Sequence, residues 1–269
     1  MMKYEGNILK MQTTNGETVQ YLLPIGEACV PLNSLIGKKI VINFEDRINC
    51  IATGELIKKS YGQGYSYKAF TKLPECDMCI VKPHQCHYGE GTCRDMKLAE
   101  EHCMVPYVIY LARTNHIKVG VTGADRCEMR WMDQGAVEAL PILRFSSRYQ
   151  AGLMEIEIAK SLPDKTNWQQ MLLGEISDKR DLVDVREELY LEFANLVDDL
   201  EGEEVDSQNY FFHYPQVGNL TKVTSIDLDK KHRITATLIG IKGQYLIFDK
   251  GVINIRKHQG YFISLEIID

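Results

Sequence analysis

The sequence predicts an α+β protein in which a cysteine knuckle and a mixed α/β core lie between two small antiparallel β units. Three observations predict this class. Short apolar runs separated by turn residues fill both ends of the chain, five cysteines fall within residues 76–103, and helical periodicity is concentrated in the middle. We therefore expect an N-terminal β unit at 1–73, the knuckle at 74–104, the core at 105–206 and a C-terminal β unit at 207–269.

Both β units are predicted from runs of strand-forming residues with turns between them. The runs GNILKMQT and TVQYLLP flank Asn15-Gly16, a dipeptide typical of hairpin turns. The runs KKIVINF and RINCIAT flank Glu45-Asp46, which we interpret as a second turn. From about residue 208 onward, five more strand-like runs follow, with turns at Gly243-Gln244 and Lys250-Gly251.

The cysteine segment has the spacing of a zinc knuckle. Cys76-x2-Cys79 can turn two thiolates onto one ion, and Cys86 and Cys93 would complete the tetrahedron that Zn²⁺ prefers. The segment has too few apolar residues for a core of its own, so metal binding would supply its folding free energy. Four protein ligands leave no position for an activated water, and we therefore expect a structural zinc.

Other interpretations of the same cysteines stay open. They could be buried free thiols, or Cys76 and Cys79 could form a redox pair. The ligand set is also open, because three neighbouring side chains could replace Cys86 or Cys93: His84, His87 and Cys103.

Four residues of the predicted core carry the groups that phosphodiester hydrolysis needs. We expect a hairpin to place Tyr110 and Lys118 on adjacent strands, and two following helices to carry Arg130 and Glu155. The carboxylate can hold a divalent ion, the cations can neutralise phosphate oxygens, and the phenol or ammonium can handle a proton of the attacking water. Taken alone, the four residues are equally compatible with a surface ion pair and a core aromatic.

The segment from Val108 to about Leu162 resembles the GIY-YIG nuclease superfamily, in particular its divergent branch whose second motif reads KIG-x-T. The matching text is VIY at 108–110, KVGVT at 118–122, RW at 130–131 and A-x-x-x-E at 151–155. Two positions depart from the superfamily pattern: Val108 stands at the first glycine, and Lys118 stands at the tyrosine of the second motif.

This resemblance implies roles for the core residues. It implies Tyr110 near the attacking water, Arg130 on the scissile phosphate, and Glu155 as the ligand of one Mg²⁺ or Mn²⁺ ion. Because the second phenol is replaced, proton handling would fall to Tyr110 or Lys118. The implied function is a metal-dependent endonuclease-like phosphodiesterase acting on DNA or RNA. A non-catalytic nucleic-acid-binding zinc protein on a degenerate nuclease scaffold and a protein–protein adaptor remain alternatives.

Over nearly its full length the chain also resembles an uncharacterised bacterial family described only as a domain of unknown function. That family tends to carry a second C-x2-C…C-x2-C set before the knuckle. In this chain only Cys50 remains, and three other residue types occupy the remaining positions: Thr53, Ser66 and Ala69. We therefore expect one zinc rather than two, with this corner held by packing.

The acidity of the chain is local. The net charge is −6, but residues 174–206 alone carry −10, so the rest of the chain sums to +4. The overall charge therefore does not exclude a nucleic-acid partner. Arg144 and Arg148 lie between the two predicted core helices and could contact phosphates, or they could belong to a solvated surface.

The clearest helix is predicted over residues 178–200. Its apolar residues recur at three- and four-residue spacing: Leu182, Val185, Leu189, Phe193, Leu196 and Leu200. No stretch approaches the roughly 20 apolar residues of a membrane helix, and the start MMKYEGNILK lacks the layout of a signal peptide. We expect a cytoplasmic protein without an organic cofactor.

Overall fold

A computed structural model describes residues 2–163, 165–218, 220 and 222–268. It shows a mixed α+β protein whose chain divides into two compact units. Unit 1 combines Met1–Thr71 with His213–Asp269, and unit 2 is Lys72–Phe212. The two terminal β segments, which the sequence pattern treats separately, therefore form one unit.

The helices and strands follow one another along three parts of the chain. The first part forms β1 (Met2–Asn7), β2 (Gln12–Thr14), β3 (Gln20–Ile25), β4 (Ala28–Pro31), β5 (Lys39–Asn49), β6 (Leu56–Ile57) and α1 (Tyr67–Lys72). The middle forms α2 (Met78–Val81), α3 (Met96–His102), β7 (Tyr107–Arg113), β8 (Ile117–Gly123), α4 (Cys127–Asp133), β9 (Glu138–Phe145), α5 (Arg148–Ile158), α6 (Trp168–Leu173), α7 (Leu182–Asp199), β10 (Glu203–Glu204) and β11 (Tyr210–Phe211). The last part forms β12 (Arg233–Lys242), β13 (Tyr245–Phe248), β14 (Gly251–Asn254) and β15 (Tyr261–Ile268). Among the described residues, no helix combines the length and the apolar character needed to span a bilayer.

Unit 1 is built on one antiparallel sheet with the strand order β1-β15-β5-β12-β13-β14, and β6 pairs with β5. A second sheet has the order β2-β3-β4. The C-terminal strands β12 and β15 flank β5 on its two sides, which explains why the chain ends share a unit. Such pairing between distant segments leaves no local sequence signal.

The predicted turn at Glu45-Asp46 is wrong, because β5 runs through it as one strand of 11 residues. Ile48 pairs with Tyr261 and Phe44 with Ile263, so β5 has more residues than β15 across this stretch. The pairing shifts register there, and Asp46 adopts a φ of 50°. The polar pair thus marks a bulge rather than a reversal of the chain.

Unit 2 is built on an antiparallel sheet with the order β10-β9-β7-β8, and β11 also pairs with β9. The apolar residues of one face pack against α5 and α7; strands β7 and β8 contribute Ile109, Leu111, Ile117 and Val119. Since side chains alternate along a strand, Tyr110 and Lys118 lie on the opposite face. The predicted acidic helix is α7, whose residues Leu182, Val185 and Leu189 are buried in this core.

Candidate active site and metal centre

Tyr110 lies in the middle of β7, directly opposite Gly120 of β8. A Cβ atom added at Gly120 would lie 2.5 Å from Tyr110 Oη, so the phenol lies against the glycine backbone. β8 is the last strand of the sheet on this side. Gly120 is therefore what allows the phenol to extend across β8 towards the sheet edge.

Side chains from outside β7 act on the Tyr110 hydroxyl. Gln134 Nε2 donates a hydrogen bond to Tyr110 Oη at 2.6 Å. Burial raises the pKa of Tyr110, the negative charge of Glu155 raises it further, and Arg130 lowers it by its charge and by hydrogen bonding. Arg130 and Glu155, which are distant in sequence, therefore shift the pKa of one phenol in opposite directions.

The elements carrying these residues are those expected from the pattern. Tyr110 and Lys118 are on adjacent strands, Arg130 is on α4 and Glu155 is on α5. Lys118 is opposite Ala112 and is only 7% exposed. Burial lowers the pKa of the nearby His116, and the charge of Lys118 lowers it further. The buried ammonium thus contributes positive potential on this face of the sheet.

Trp131 connects the Tyr110 site to its surroundings. Its ring lies edge-on to Tyr110 with centroids 5.8 Å apart, and 5.0 Å from the ring of Tyr210. The side chain is buried, which fixes the helical turn that also carries Arg130. Gln134 directly follows this helix. Its backbone amide caps the helix by donating to carbonyls of the last turn, and its side-chain amide donates to the Tyr110 hydroxyl.

Glu155 is positioned by the packing of α5. Ser147 caps the helix by accepting a hydrogen bond from the backbone amide of Gln150. Met154 and Ile158 are buried in the core of unit 2, and α5 packs against β7, β8 and β9. Glu155 is half-buried between these anchors. These contacts hold the carboxylate on a rigid helix rather than on a loop.

The two candidate phosphate-binding arginines differ in environment. Arg144 is exposed on β9. Arg148 is half-buried; its Nη2 donates to the Ile80 carbonyl, and its guanidinium lies 5.6 Å from the centroid of the Tyr107 ring. Its backbone amide also donates to the Cys103 carbonyl at 2.8 Å. Arg148 therefore joins the cysteine segment to the core, whereas Arg144 faces solvent.

Four cysteines of unit 2 line one small cavity of about 20 Å³: Cys79, Cys86, Cys93 and Cys103. This volume holds about one ion or water. Cys76 ends the preceding 3-10 turn and is not among the residues that line the cavity. Cys103, one of the alternative ligands in the sequence analysis, also lines the cavity.

A candidate metal-binding group lies on the same wall. The ligand atoms of Asp77, Cys79 and His87 lie within 4.8 Å of one another. His87 Nδ1 lies 2.8 Å from the Thr92 hydroxyl, the kind of outer contact that orients metal-binding histidines. Asp77 also pairs with Arg94 at 2.9 Å, which partly neutralises its carboxylate. Burial raises the pKa of Cys79 to about 11, with added repulsion from Asp77 and the other thiolates.

These contacts make the segment compatible with a metal ion. A closely spaced group of thiol, imidazole and carboxylate donors around an ion-sized cavity suits a small divalent cation.

In unit 1, Cys50 is the residue that remains of the second cysteine set, and its surroundings are different. Cys50 Sγ accepts a hydrogen bond from the Ser66 amide, and Ser66 Oγ accepts one from the Ala69 amide. Burial opposes ionisation of Cys50, but hydrogen bonds from Thr53 and the backbone outweigh it and lower its pKa to about 7.

Sequence reasoning did not single out two of these contacts. Gln134 stands in a polar segment that resembles a helix-ending turn, and nothing local indicates that its amide reaches Tyr110. Asp77 follows Cys76 directly and suits a tight turn. Its carboxylate caps α2 by accepting a hydrogen bond from the Met78 amide, and it also lies 3.6 Å from His87 Nε2. Its position between the two cysteines of the C-x2-C motif is the sequence signal that could have identified it.

The model of a family described as "Protein of unknown function (DUF2797)" matches residues 37–263 of the chain. No curated protein and no solved structure gives a significant match. The matched segment includes β5, the cysteine segment, the Tyr110 site and the first three residues of β15. Since the match extends over most of the sequence, this chain belongs to the DUF2797 family.

Proposed function

We propose that this protein is a metal-dependent nucleic-acid phosphodiesterase, endonuclease-like in its action, with a structural zinc. The observation that carries the proposal is the Tyr110 hydroxyl, which accepts a hydrogen bond from Gln134 just after α4 and whose pKa is lowered by Arg130 of α4 and raised by Glu155 of α5. A phenol, a guanidinium and a carboxylate near one point provide proton handling, phosphate neutralisation and a metal ligand. The resemblance of this segment to GIY-YIG nucleases supports the same assignment.

Each residue has a proposed role at a DNA or RNA phosphate. Glu155 would hold one Mg²⁺ or Mn²⁺; a single carboxylate suits Mg²⁺, which retains several of its waters. The bound ion would neutralise charge on the phosphate. Arg130 and Lys118 would neutralise the non-bridging oxygens, and Tyr110 would orient the attacking water through its hydroxyl. Gln134 holds that phenol in place by its hydrogen bond.

For the structural zinc, we propose the ligands Cys79, Cys86, Cys93 and Cys103. All four line the same cavity, beside the closely spaced ligand atoms of Asp77, Cys79 and His87. Cys103→Ser should lower the zinc content measured by plasma mass spectrometry from about one equivalent to well below half. Cys76→Ser should retain zinc, as should Cys29→Ser at an exposed control position. Zinc retained in Cys103→Ser but lost in Cys76→Ser would reverse the assignment.

One observation favours a second candidate, a non-catalytic nucleic-acid-binding zinc protein. Tyr110 is only 1% exposed and Lys118 only 7%, so neither group meets bulk water directly. A catalytic phenol must reach the attacking water. On a degenerate scaffold, the same residues would stabilise the sheet while nearby arginines bind phosphates.

Manganese-dependent cleavage of plasmid and branched DNA, and of RNA, separates the two candidates. The wild-type protein should cleave at least one substrate, and Glu155→Gln should reduce the rate at least about a hundredfold. Glu157→Gln, two residues along the same helix, is the matched control and should cleave normally. Salt-sensitive binding without cleavage, unchanged in Glu155→Gln, would support the binding protein and contradict the enzyme.

A further inference from the structure

A cavity of about 690 Å³ lies next to the Tyr110 site. This volume is typical of small-molecule sites, which span roughly 300–1,000 Å³. Its apolar wall comprises Val108, Met129, Trp131, Pro141, Val205 and Tyr210. Trp131 is the shared element, because its ring contacts both Tyr110 and Tyr210. A flat apolar ligand could therefore pack against Tyr210, whose ring contacts Trp131, the residue that follows Arg130 in the sequence.

Two arginines provide the polar end of this cavity. Arg126 and Arg144 line it and also line an adjoining cavity of about 540 Å³. Arg126 is partly engaged, since its Nε lies 3.5 Å from Asp125 and its Nη2 lies 3.5 Å from the Tyr107 hydroxyl. Arg144 is exposed on β9 opposite Glu203 of β10, and within the described chain no carboxylate lies at ion-pair distance from its guanidinium.

The charges around the cavity select among possible anions. Asp125 and Glu128 also line the wall, so its two positive charges are balanced by two negative ones. A balanced wall selects its ligand by local contacts rather than by net charge. It suits a group with a phosphate for the arginines, an aromatic ring for Tyr210, and hydroxyl or amino donors for the carboxylates. A nucleotide has all three.

We propose that this cavity is a nucleotide-binding subsite. The phosphate binds the guanidinium groups of Arg144 and Arg126 in the forked geometry that arginine favours. The base packs on the exposed side of the Tyr210 ring, which lies 5.0 Å from the ring of Trp131. This proposal rests on the proposed function and deepens it: the recognised part of the substrate is a single-stranded or extruded nucleotide beside the Tyr110 site.

Tryptophan fluorescence tests the subsite without any catalysis. The chain has two tryptophans, so Trp168→Phe leaves Trp131 as the only reporter. Adenosine monophosphate, added to this protein without a divalent metal ion, should quench the fluorescence saturably. Arg144→Met in the same background should weaken binding about tenfold, the effect of one lost charged contact. Arg186→Met on α7, which does not line the cavity, should bind like the parent.

Calorimetric titration of the wild-type protein with the same nucleotide guards against an effect of Trp168→Phe on folding. Absence of saturable binding in both experiments overturns the subsite, as does equal binding by Arg144→Met and the parent. Nucleotide binding in a protein that cleaves nothing would uphold the subsite and refute only the proposed catalysis. Cleavage without nucleotide binding would do the reverse.

Discussion

At the residue scale, Gly120 determines where the Tyr110 phenol can lie. A methyl group at position 120 would come within 2.5 Å of the hydroxyl oxygen and 2.6 Å of Cζ, so the ring would have to move. We expect Gly120→Ala to lower the free energy of unfolding by about 1–3 kcal/mol, as for other overpacked sites. Urea denaturation measures the change. The displaced phenol should also lose its hydrogen bond from Gln134.

Gly89→Ala is the matched control for this substitution. A Cβ at Gly89 meets nothing within 4 Å. The free energy of unfolding of Gly89→Ala should therefore stay within about 0.5 kcal/mol of that of the wild type. Equal stability of Gly120→Ala and Gly89→Ala would show that the phenol does not depend on the glycine.

Lys242 predicts a pH dependence of stability in unit 1. Burial lowers its pKa from 10.5 to about 8. Between those values the unfolded chain binds the proton and the folded chain does not, so the free energy of unfolding rises with pH by up to about 3 kcal/mol. Lys242→Met should flatten this rise in urea titrations from pH 8 to 10.5, whereas the exposed Lys230→Met should keep it. A parallel rise in both variants would contradict the assignment.

The sequence predicts which element carries each candidate residue, but not the contacts that the residue makes. Motif spacing indicated Tyr110, Arg130 and Glu155 because the residue types and their order are local information. The coupling between Gln134 and Tyr110 depends on how α4 packs on the sheet, which no local pattern records. That Cys103 lines the same cavity as Cys79 likewise depends on the path of the chain between them.

At the element scale, α5 links the cysteine segment to Glu155. Gly152 lies one turn before Glu155 on this helix, and a Cβ there would lie 2.5 Å from Pro83 Cβ and 2.6 Å from the backbone nitrogen of His84. The 3-10 turn Pro83–Gln85 therefore packs directly on the helix backbone. It immediately precedes Cys86, so this contact joins the segment of the proposed zinc ligands to the helix that carries Glu155.

We expect Gly152→Ala to push this turn away from α5, since backbone atoms cannot yield as a flexible side chain can. The variant should lose stability by about 1–3 kcal/mol and should also retain less zinc after dialysis against a weak chelator. Zinc analysis beside urea denaturation measures both effects, with Gly89→Ala again as the control in the same segment. Lower stability with full zinc retention would separate α5 from the metal centre.

The type of an element could be predicted where its apolar periodicity is strong. The ends of strands could not be predicted where a strand pairs with a segment far away in the sequence. The acidic helix α7 follows the predicted pattern because its apolar spacing is helical. β5 continues through Glu45-Asp46 because it stays paired with β15, which is over two hundred residues away in the sequence. The extra residues of β5 form a bulge, and the register of the pairing shifts there. The same partner explains why the two predicted β units are one.

At the scale of the whole molecule, the proposed zinc site belongs to unit 2. All four proposed zinc ligands lie within Lys72–Phe212, whereas β5, β12 and β15 belong to the other unit. Removing zinc with a strong chelator should therefore raise hydrogen exchange in residues 74–104 and in α5. Exchange in β5 and β12 should stay unchanged. Uniformly faster exchange in both units, measured by mass spectrometry, would contradict a structural role confined to unit 2.

The account as a whole depends on Arg130 and Glu155 acting at the same phosphate. Single-turnover rates of manganese-dependent cleavage test this in four proteins: wild type, Arg130→Met, Glu155→Gln and the double variant. Residues that act as a unit lose activity non-additively. We predict that the double variant is no slower than the slower single variant. Full multiplication of the two losses, or equal rates in all four proteins, would contradict a shared catalytic centre.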